Sequence, residues 1–335
     1  MRFVARSSKY WPWVGLLFLN SAQVIADPGR LFSTRSNSPV TQIFGLPSQP
    51  SAQLSGVGKW EGELVYRIVN HADMVTEGDE AVVLDGETRV TNLALSYGLN
   101  AKWQLGADIA YLSHQSGKLD GFIEDWHDLW GISNDNRSGP QNVLDINYAV
   151  NGLDRVAITR DKSGIGDVRL WANYELGDGS ESGTRYFSRL TIKLPTGDQD
   201  DLLGSGAMDV AADVAAQRRL FESRTYLDLI GHLGVLVLGD GDVLASQQES
   251  VVPYGGAGLV WGWSDRFELV IQASIEGSYF ESDLDEIGGT SIQLTAGGRY
   301  RWVDSNFELA IAIVEDLVSD ATPDVAFHFE LRKGF

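Results

Sequence analysis

Val325-Ala326-Phe327-His328-Phe329-Glu330-Leu331-Arg332-Lys333-Gly334-Phe335 alternates apolar and polar residues and stops on an aromatic. Val325, Phe327, Phe329, Leu331 and Phe335 fall on one face of a strand. Ala326, His328, Glu330, Arg332 and Gly334 fall on the other. A final strand that is greasy on its outer face and charged on its inner face is the pattern expected of the closing strand of an outer-membrane β-barrel. The predicted fold class is all-β: an antiparallel transmembrane barrel. Phe327, Phe329 and Phe335 are expected to form the signal that the barrel-assembly machinery reads during insertion.

Working back from this strand, the same alternation recurs. Twelve strands are predicted, over residues 59–69, 84–99, 102–112, 166–176, 185–194, 208–220, 225–238, 252–263, 266–279, 291–303, 306–315 and 325–335. Most have the roughly 9–11 residues that a tilted membrane-spanning strand needs. Connections after even-numbered strands are short and those after odd-numbered strands are long, including 70–83 and 113–165. Short periplasmic turns and long outer loops give this rhythm, which places both mature termini in the periplasm. Aromatic residues mark the periplasmic strand ends: Trp60, Tyr97, Trp103, Tyr174, Tyr186, Phe221, Tyr226, Trp263, Phe267, Trp302, Phe307 and Phe335. Tyr66, Tyr111 and Tyr279 are assigned to a thinner outer girdle.

Composition agrees with a barrel. Hydrophobic residues make up 43% of the chain, yet outside the N-terminus they are dispersed singly. There is no cysteine, so the fold is held without disulfides. The net charge of −20 disfavours nucleic-acid partners. Arg2, Arg6 and Lys9, an apolar core from Trp11 to Leu19 and a small residue at Ala26 read as a cleaved signal peptide over 1–26. Residues 27–58 form an N-terminal segment carrying a small apolar cluster at Val40, Ile43, Phe44 and Leu46, and a plug inside the lumen is one reading of it. The barrel then occupies 59–335. The predicted location is the cell outer membrane, with outer-membrane lipids and lipopolysaccharide as neighbours and a monomeric state.

The 113–165 connection exceeds the usual loop range, and loops of this length are often functional. Residues 122–130 have helical periodicity, so the loop is expected to carry a short helix. Phe122, Trp126, His127 and Trp130 are the candidate constriction of the lumen. Farther on, a hairpin is expected to turn at Asn151-Gly152. Chemistry is less marked. Glu124, Asp125, His127 and Asp128 go around a helix rather than along one face, and Asp198, Asp200, Asp201 and Asp209 lack the glycine and distal glutamate of a calcium loop. No metal and no cofactor are predicted. No nucleophile elbow is present. His232 on a strand is the one position worth testing for a lipid-modifying activity, and non-enzymatic barrel function is the main expectation. The inward-facing charges Glu61, Arg67, Arg169, Arg189, Lys193, Glu268, Arg299, Arg301, Glu308 and Glu330 are the candidate lining of a narrow passive channel for small solutes. They must be paired or hydrated. The alternative is a closed barrel that binds lipopolysaccharide or a partner.

Several segments together carry a resemblance: Thr34-Arg35-Ser36-Asn37-Ser38-Pro39 with Phe44-Gly45-Leu46-Pro47, Leu119-Asp120-Gly121-Phe122-Ile123-Glu124-Asp125-Trp126-His127, Ser163-Gly164-Ile165-Gly166-Asp167, Lys193-Leu194-Pro195-Thr196-Gly197-Asp198 and Leu203-Gly204-Ser205-Gly206. The chain resembles the envelope family known as domain of unknown function 3187 over nearly all of its mature length. It is more weakly similar to the barrel family linked to meta-pathway phenol degradation. The first resemblance implies an outer-membrane barrel and carries over no catalytic residue. The second implies passage of small apolar or aromatic solutes.

Overall fold

The computed structural model describes residues 29–50, 54–119, 121, 142–177, 183–317 and 325–335. Fifteen strands are present among them: β1 (Trp60–Glu77), β2 (Glu80–Gly98), β3 (Trp103–Gln115), β4 (Asp145–Val150), β5 (Leu153–Ile158), β6 (Lys162–Ile165), β7 (Val168–Gly177), β8 (Thr184–Leu194), β9 (Asp209–Glu222), β10 (Tyr226–Val237), β11 (Val251–Ser264), β12 (Phe267–Glu276), β13 (Ser291–Trp302), β14 (Phe307–Asp316) and β15 (Val325–Gly334). A single helical turn, α1 (Asp285–Gly288), lies between β12 and β13. Twelve of the strands form one closed antiparallel ring in the order β1-β2-β3-β7-β8-β9-β10-β11-β12-β13-β14-β15. The ring shuts where β15 pairs with β1, from Glu61 opposite Gly334 to Asn70 opposite Val325. Closure leaves no unpaired edge in the ring, which backbone groups in hydrocarbon require.

The faces are inverted relative to a soluble sheet. In β12 every second residue is buried, and the buried set includes Glu268, Gln272, Ser274 and Glu276 while Leu269, Ile271 and Ile275 are exposed. The short connections gather at one end, here termed the turn end, with Trp60 and Phe335. Side chains shape them: Asn100 accepts from the N–H groups of Lys102 (2.9 Å) and Trp103 (3.0 Å), and Ser264 accepts from those of Arg266 and Phe267. Such local acceptors reverse the chain within two residues. Aromatic pairs ring this end, Trp60 with Tyr97 at 4.8 Å and Trp103 with Tyr174 at 4.6 Å between centroids. The described parts of the long connections lie at the opposite, loop end.

The structure corrects three expectations. Residues 70–83 are not a loop: β1 and β2 run on as a paired hairpin from Asn70 opposite Glu87 to Glu77 opposite Glu80. Gly78, at φ 60°, makes its tip. Alternation there continues without the lipid-facing apolar set, so a pattern tuned to membrane strands ends too early. Tyr226 does not face lipid. It is buried, with its hydroxyl donating to Glu268 and the Arg219 guanidinium 4.3 Å over its ring. Tyr279 lies beyond β12 and is buried at the loop end rather than in an outer girdle.

The predicted hairpin at Asn151-Gly152 is β4–β5, and both turn residues have positive φ. It extends the sheet from the upper part of β2, while β6 pairs with the upper part of β3. The predicted helix over 122–130 falls outside the described residues. Among the described residues no helix is long and apolar enough to cross a membrane.

Candidate functional site

The interior of the ring is occupied by residues 29–50. This stretch has no strand or helix of its own, so wall side chains must satisfy its main chain. It rises from the turn end to an apex at Ile43–Gly45 and returns toward Ser55, whose hydroxyl lies 3.3 Å from that of Ser96 on β2. Three tiers of contacts hold it.

At the turn end, Leu31 and Phe32 are buried against Tyr226, Ile230, Val260, Val270, Ala310 and Ala312. Around them runs an ionic network. Arg299 reaches Glu268 at 2.8 Å, Arg301 reaches Glu308 at 2.7 Å and Glu268 at 3.2 Å, and Arg332 reaches Glu63 at 2.8 Å and Glu330 at 3.0 Å. The inner segment adds Arg30, 3.0 Å from Glu61. Each buried charge has a partner of opposite sign, which offsets desolvation costs of several kcal/mol per ion.

At mid-height the charges are fewer and more basic. Arg35 of the segment pairs with Asp108 on β3 at 3.0 Å, and Arg169 on β7 approaches the same carboxylate at 3.7 Å. Arg67 on β1 donates to the carbonyls of Arg35 and Ser36 and to Asn37 Oδ1 at 2.7 Å. Arg189 on β8 donates to the Ser48 carbonyl at 2.9 Å and to Asn173 at 2.7 Å. His232 on β10 is hydrogen-bonded to Gln49, and Tyr254 donates to Asp213 at 3.1 Å. Cavities of about 50 and 20 Å³ remain beside this tier, room for a few waters.

Toward the loop end, Lys193 is fully buried between Asp167 (2.8 Å) and Asp209 (3.0 Å), and also donates to Ser205 and to the Ile43 carbonyl. Asp209 accepts from the N–H of Gly45 at 2.8 Å, and Arg169 donates to the Phe44 carbonyl at 3.0 Å. The apex is therefore clasped through its main chain. Here the glycine-rich motifs acquire a reason. Asp167 accepts from the N–H groups of Thr196 and Gly197. A Cβ on Gly204 would lie 2.5 Å from Asp167, and one on Gly45 2.8 Å from Asp209 Cβ. The close approach is possible only without side chains.

Above the clasp is an apolar cap. Val40, Ile43, Phe44 and Leu46 pack with Val82, Leu84, Ile146, Tyr148, Leu236, Leu244, Tyr279, Phe280 and Ile287, among others. Phe44 stacks on Tyr279 at 5.3 Å and meets Phe280 at 5.5 Å. Asp145, on the β4 rim of this cap, has its carboxyl held above the ordinary value by burial and by neighbouring Asp154.

The ten inward charges named from the sequence divide among these tiers. Glu61, Glu268, Arg299, Arg301, Glu308 and Glu330 come together at the turn end. Arg67, Arg169 and Arg189 surround the mid-height of the segment, and Lys193 is the centre of the clasp. Phe122, Trp126, His127 and Trp130 fall outside the described residues. Phe327 and Phe329 are on the outer face of β15, Phe329 6.3 Å from Tyr66, and Phe335 is exposed at the turn end. The sequence reading does not single out Asp108, Asp213 or Asp228, whose partners come from distant strands and from the segment. Among the described residues no three His, Asp or Glu converge as metal ligands, and Glu124, Asp125, His127 and Asp128 are not among those residues.

The sequence profile described as a protein of unknown function (DUF3187) matches residues 11–335. No curated protein matches the chain. Among solved structures, the COG4313 outer membrane channel from Pseudomonas putida F1 is 16% identical, with 85% of this chain and 99% of that chain covered and a TM-score of 0.56. The NanC porin is 8% identical over 82% of this chain and 97% of that one, TM-score 0.45. The Ralstonia pickettii toluene transporter TbuX is 12% identical over 91% and 100%, TM-score 0.39. The first of these shares the fold.

Proposed function

The chain belongs to the DUF3187 family, and on that footing we propose that it is an outer-membrane channel for small solutes, shut in this form by its own residues 29–50. The observation that carries this reading is the route of that segment. A barrel meant only as a wall can fill its lumen with side chains of its strands. Here the filling is a separate, tethered stretch without secondary structure, joined to the barrel near Lys59 and contributing no strand to the ring. Such a filling can leave and return without unfolding the ring. The COG4313 channel, which shares the fold, is a channel by its own description, which supports the same reading.

In this account residues 1–26 direct export, the turn end faces the periplasm, and the monomer sits among outer-membrane lipids and lipopolysaccharide after insertion by the barrel-assembly machinery. The segment is the plug, and the apolar cap is the outer seal. Single-channel recording of the refolded full chain tests this. Gly45→Val places a side chain against Asp209 and Lys193, so the apex loses its clasp, and long openings are expected where the unaltered chain opens briefly. A folded Gly45→Val barrel that stays electrically silent overturns the proposal.

A further inference from the structure

Residues 29–33 meet the wall through main chain and side chains together. Seven of the ten main-chain polar groups of this stretch are read by a wall side chain. The N–H of Gly29 donates to Asp228 at 2.7 Å, and its carbonyl accepts from Gln217 at 3.0 Å. The carbonyls of Arg30 and Leu31 accept from Arg299 at 3.0 and 3.3 Å. The N–H of Phe32 donates to Gln272 Oε1 at 2.7 Å while its carbonyl accepts from Gln272 Nε2 at 3.3 Å. The N–H of Ser33 donates to Glu330 at 3.2 Å. Gln272 thus offers Phe32 the two bonds that a residue of a neighbouring strand would offer.

The side chains of the stretch also have built places. A Cβ on Gly29 would lie 2.5 Å from Val260 Cγ1, so that position admits glycine alone. Arg30 meets Glu61 with two hydrogen bonds, 3.0 and 3.2 Å. Leu31 and Phe32 are 3% and 0% exposed, and the Arg299 guanidinium lies 5.5 Å over the Phe32 ring.

We propose that the turn-end half of the lumen is a binding site for a short extended peptide, with places for glycine, a basic, an aliphatic and an aromatic residue, and that residues 29–33 occupy it as a tethered pseudo-ligand. The proposal rests on the channel reading and deepens it by naming the solute class. The chemistry favours a peptide over the alternatives. Acceptors (Asp228, Glu330) stand at the two ends of the site, donors (Gln217, Arg299) lie between them, and Gln272 is both. A hydrocarbon offers these groups no hydrogen bond. A polyanion would meet Asp228 and Glu330 with like charge.

The chain has no cysteine, so Thr34→Cys gives a single thiol, buried beside the site, whose reaction with a maleimide reports departure of the stretch. The probe is the acetylated, amidated pentapeptide GRLFS. A tethered competitor has an effective concentration on the order of 1 mM, so the test is run in the unaltered background and with Phe32→Ala, which weakens the competitor. GRLFS is expected to accelerate labelling in both backgrounds, at a concentration at least about tenfold lower with Phe32→Ala. VRLFS and GRLFS methylated on the phenylalanine nitrogen are expected to have no effect. The proposal is overturned if GRLFS leaves labelling unchanged at tens of millimolar in the unaltered background, a test that stands even if Phe32→Ala fails to fold. It is equally overturned if the three peptides act alike. Silence of Gly45→Val in recordings would instead count against the channel reading, and labelling, read in detergent, does not depend on it.

Discussion

At the turn end the inner segment is held by main-chain hydrogen bonds to Asp228, Gln272, Arg299 and Glu330, inside a network of arginines and glutamates. At the loop end the same segment is held by the burial of Val40, Ile43, Phe44 and Leu46 in an apolar cap, above one clasp at Lys193. Most of the first hold is exchangeable, because water can take over each bond as the segment leaves and the net worth of a hydrogen bond is about 1 kcal/mol, which leaves Leu31 and Phe32 as the apolar cost. The second is not, because each apolar side chain that leaves the cap is exposed at about 25 cal/mol per Å². The foot of the segment is therefore the latch and the apex is the anchor. A peptide that competes for the foot loosens the segment, and full opening needs the apex to release.

The largest effect is expected at the clasp. Lys193→Met leaves Asp167 and Asp209 buried without their cation, and losing one partner of a buried ion pair costs about 3–5 kcal/mol. A matching fall in the urea midpoint is expected by tryptophan fluorescence, with partial recovery on adding Asp209→Asn. Phe44→Ala is next. It empties a ring site between Tyr279 and Phe280 and should weaken closure by about 3 kcal/mol, read as a rise in open probability, with little change in barrel stability. Arg30→Gln at the foot breaks a largely buried pair, 6% and 20% exposed, but Glu61 keeps Arg332 at 3.9 Å, and about 1–2 kcal/mol is expected. Salt separates the foot from the cap by the least. Raising salt from about 0.1 M to about 1 M shortens the screening length from about 10 Å to about 3 Å. Labelling of Ser33→Cys at the foot should rise severalfold, while that of Val40→Cys in the cap should not.

Much of the wall was legible in the sequence because strand alternation is local. The twelve ring strands lie where twelve are predicted, most of them by alternation, with β9 and β10 carrying apolar residues on both faces, and Asn151-Gly152 turns a hairpin because both positions adopt positive φ. The extension of β1 and β2 beyond Asn70 was not legible, since its alternation no longer carries the lipid signature. Tyr226 and Tyr279 were misread for a related reason: an aromatic at a strand end can face lipid or fill the lumen, and only closure of the ring decides. The site was half legible. Inward charges such as Arg299 and Glu268 follow from parity along one strand. Their partners do not, because Asp108 meets Arg35 and Asp228 meets Gly29 only after twelve strands have closed around a segment more than seventy residues away in the chain. The glycine motifs around Asp167 and Lys193 were visible as patterns, and their purpose emerges only when Ile43 and Gly45 come to rest between them.

The most direct test joins the position of the segment to conduction in one molecule. Ser38 is buried and its hydroxyl makes no hydrogen bond, so Ser38→Cys is a mild change in a chain with no other thiol. A bulky maleimide can react there only while the segment is out, and once attached it bars re-entry. Planar-bilayer recording should show brief openings before the reagent and a steady open conductance after it. A labelled barrel that remains folded and silent, or an unlabelled one that conducts steadily while the thiol stays unreacted, would contradict the account.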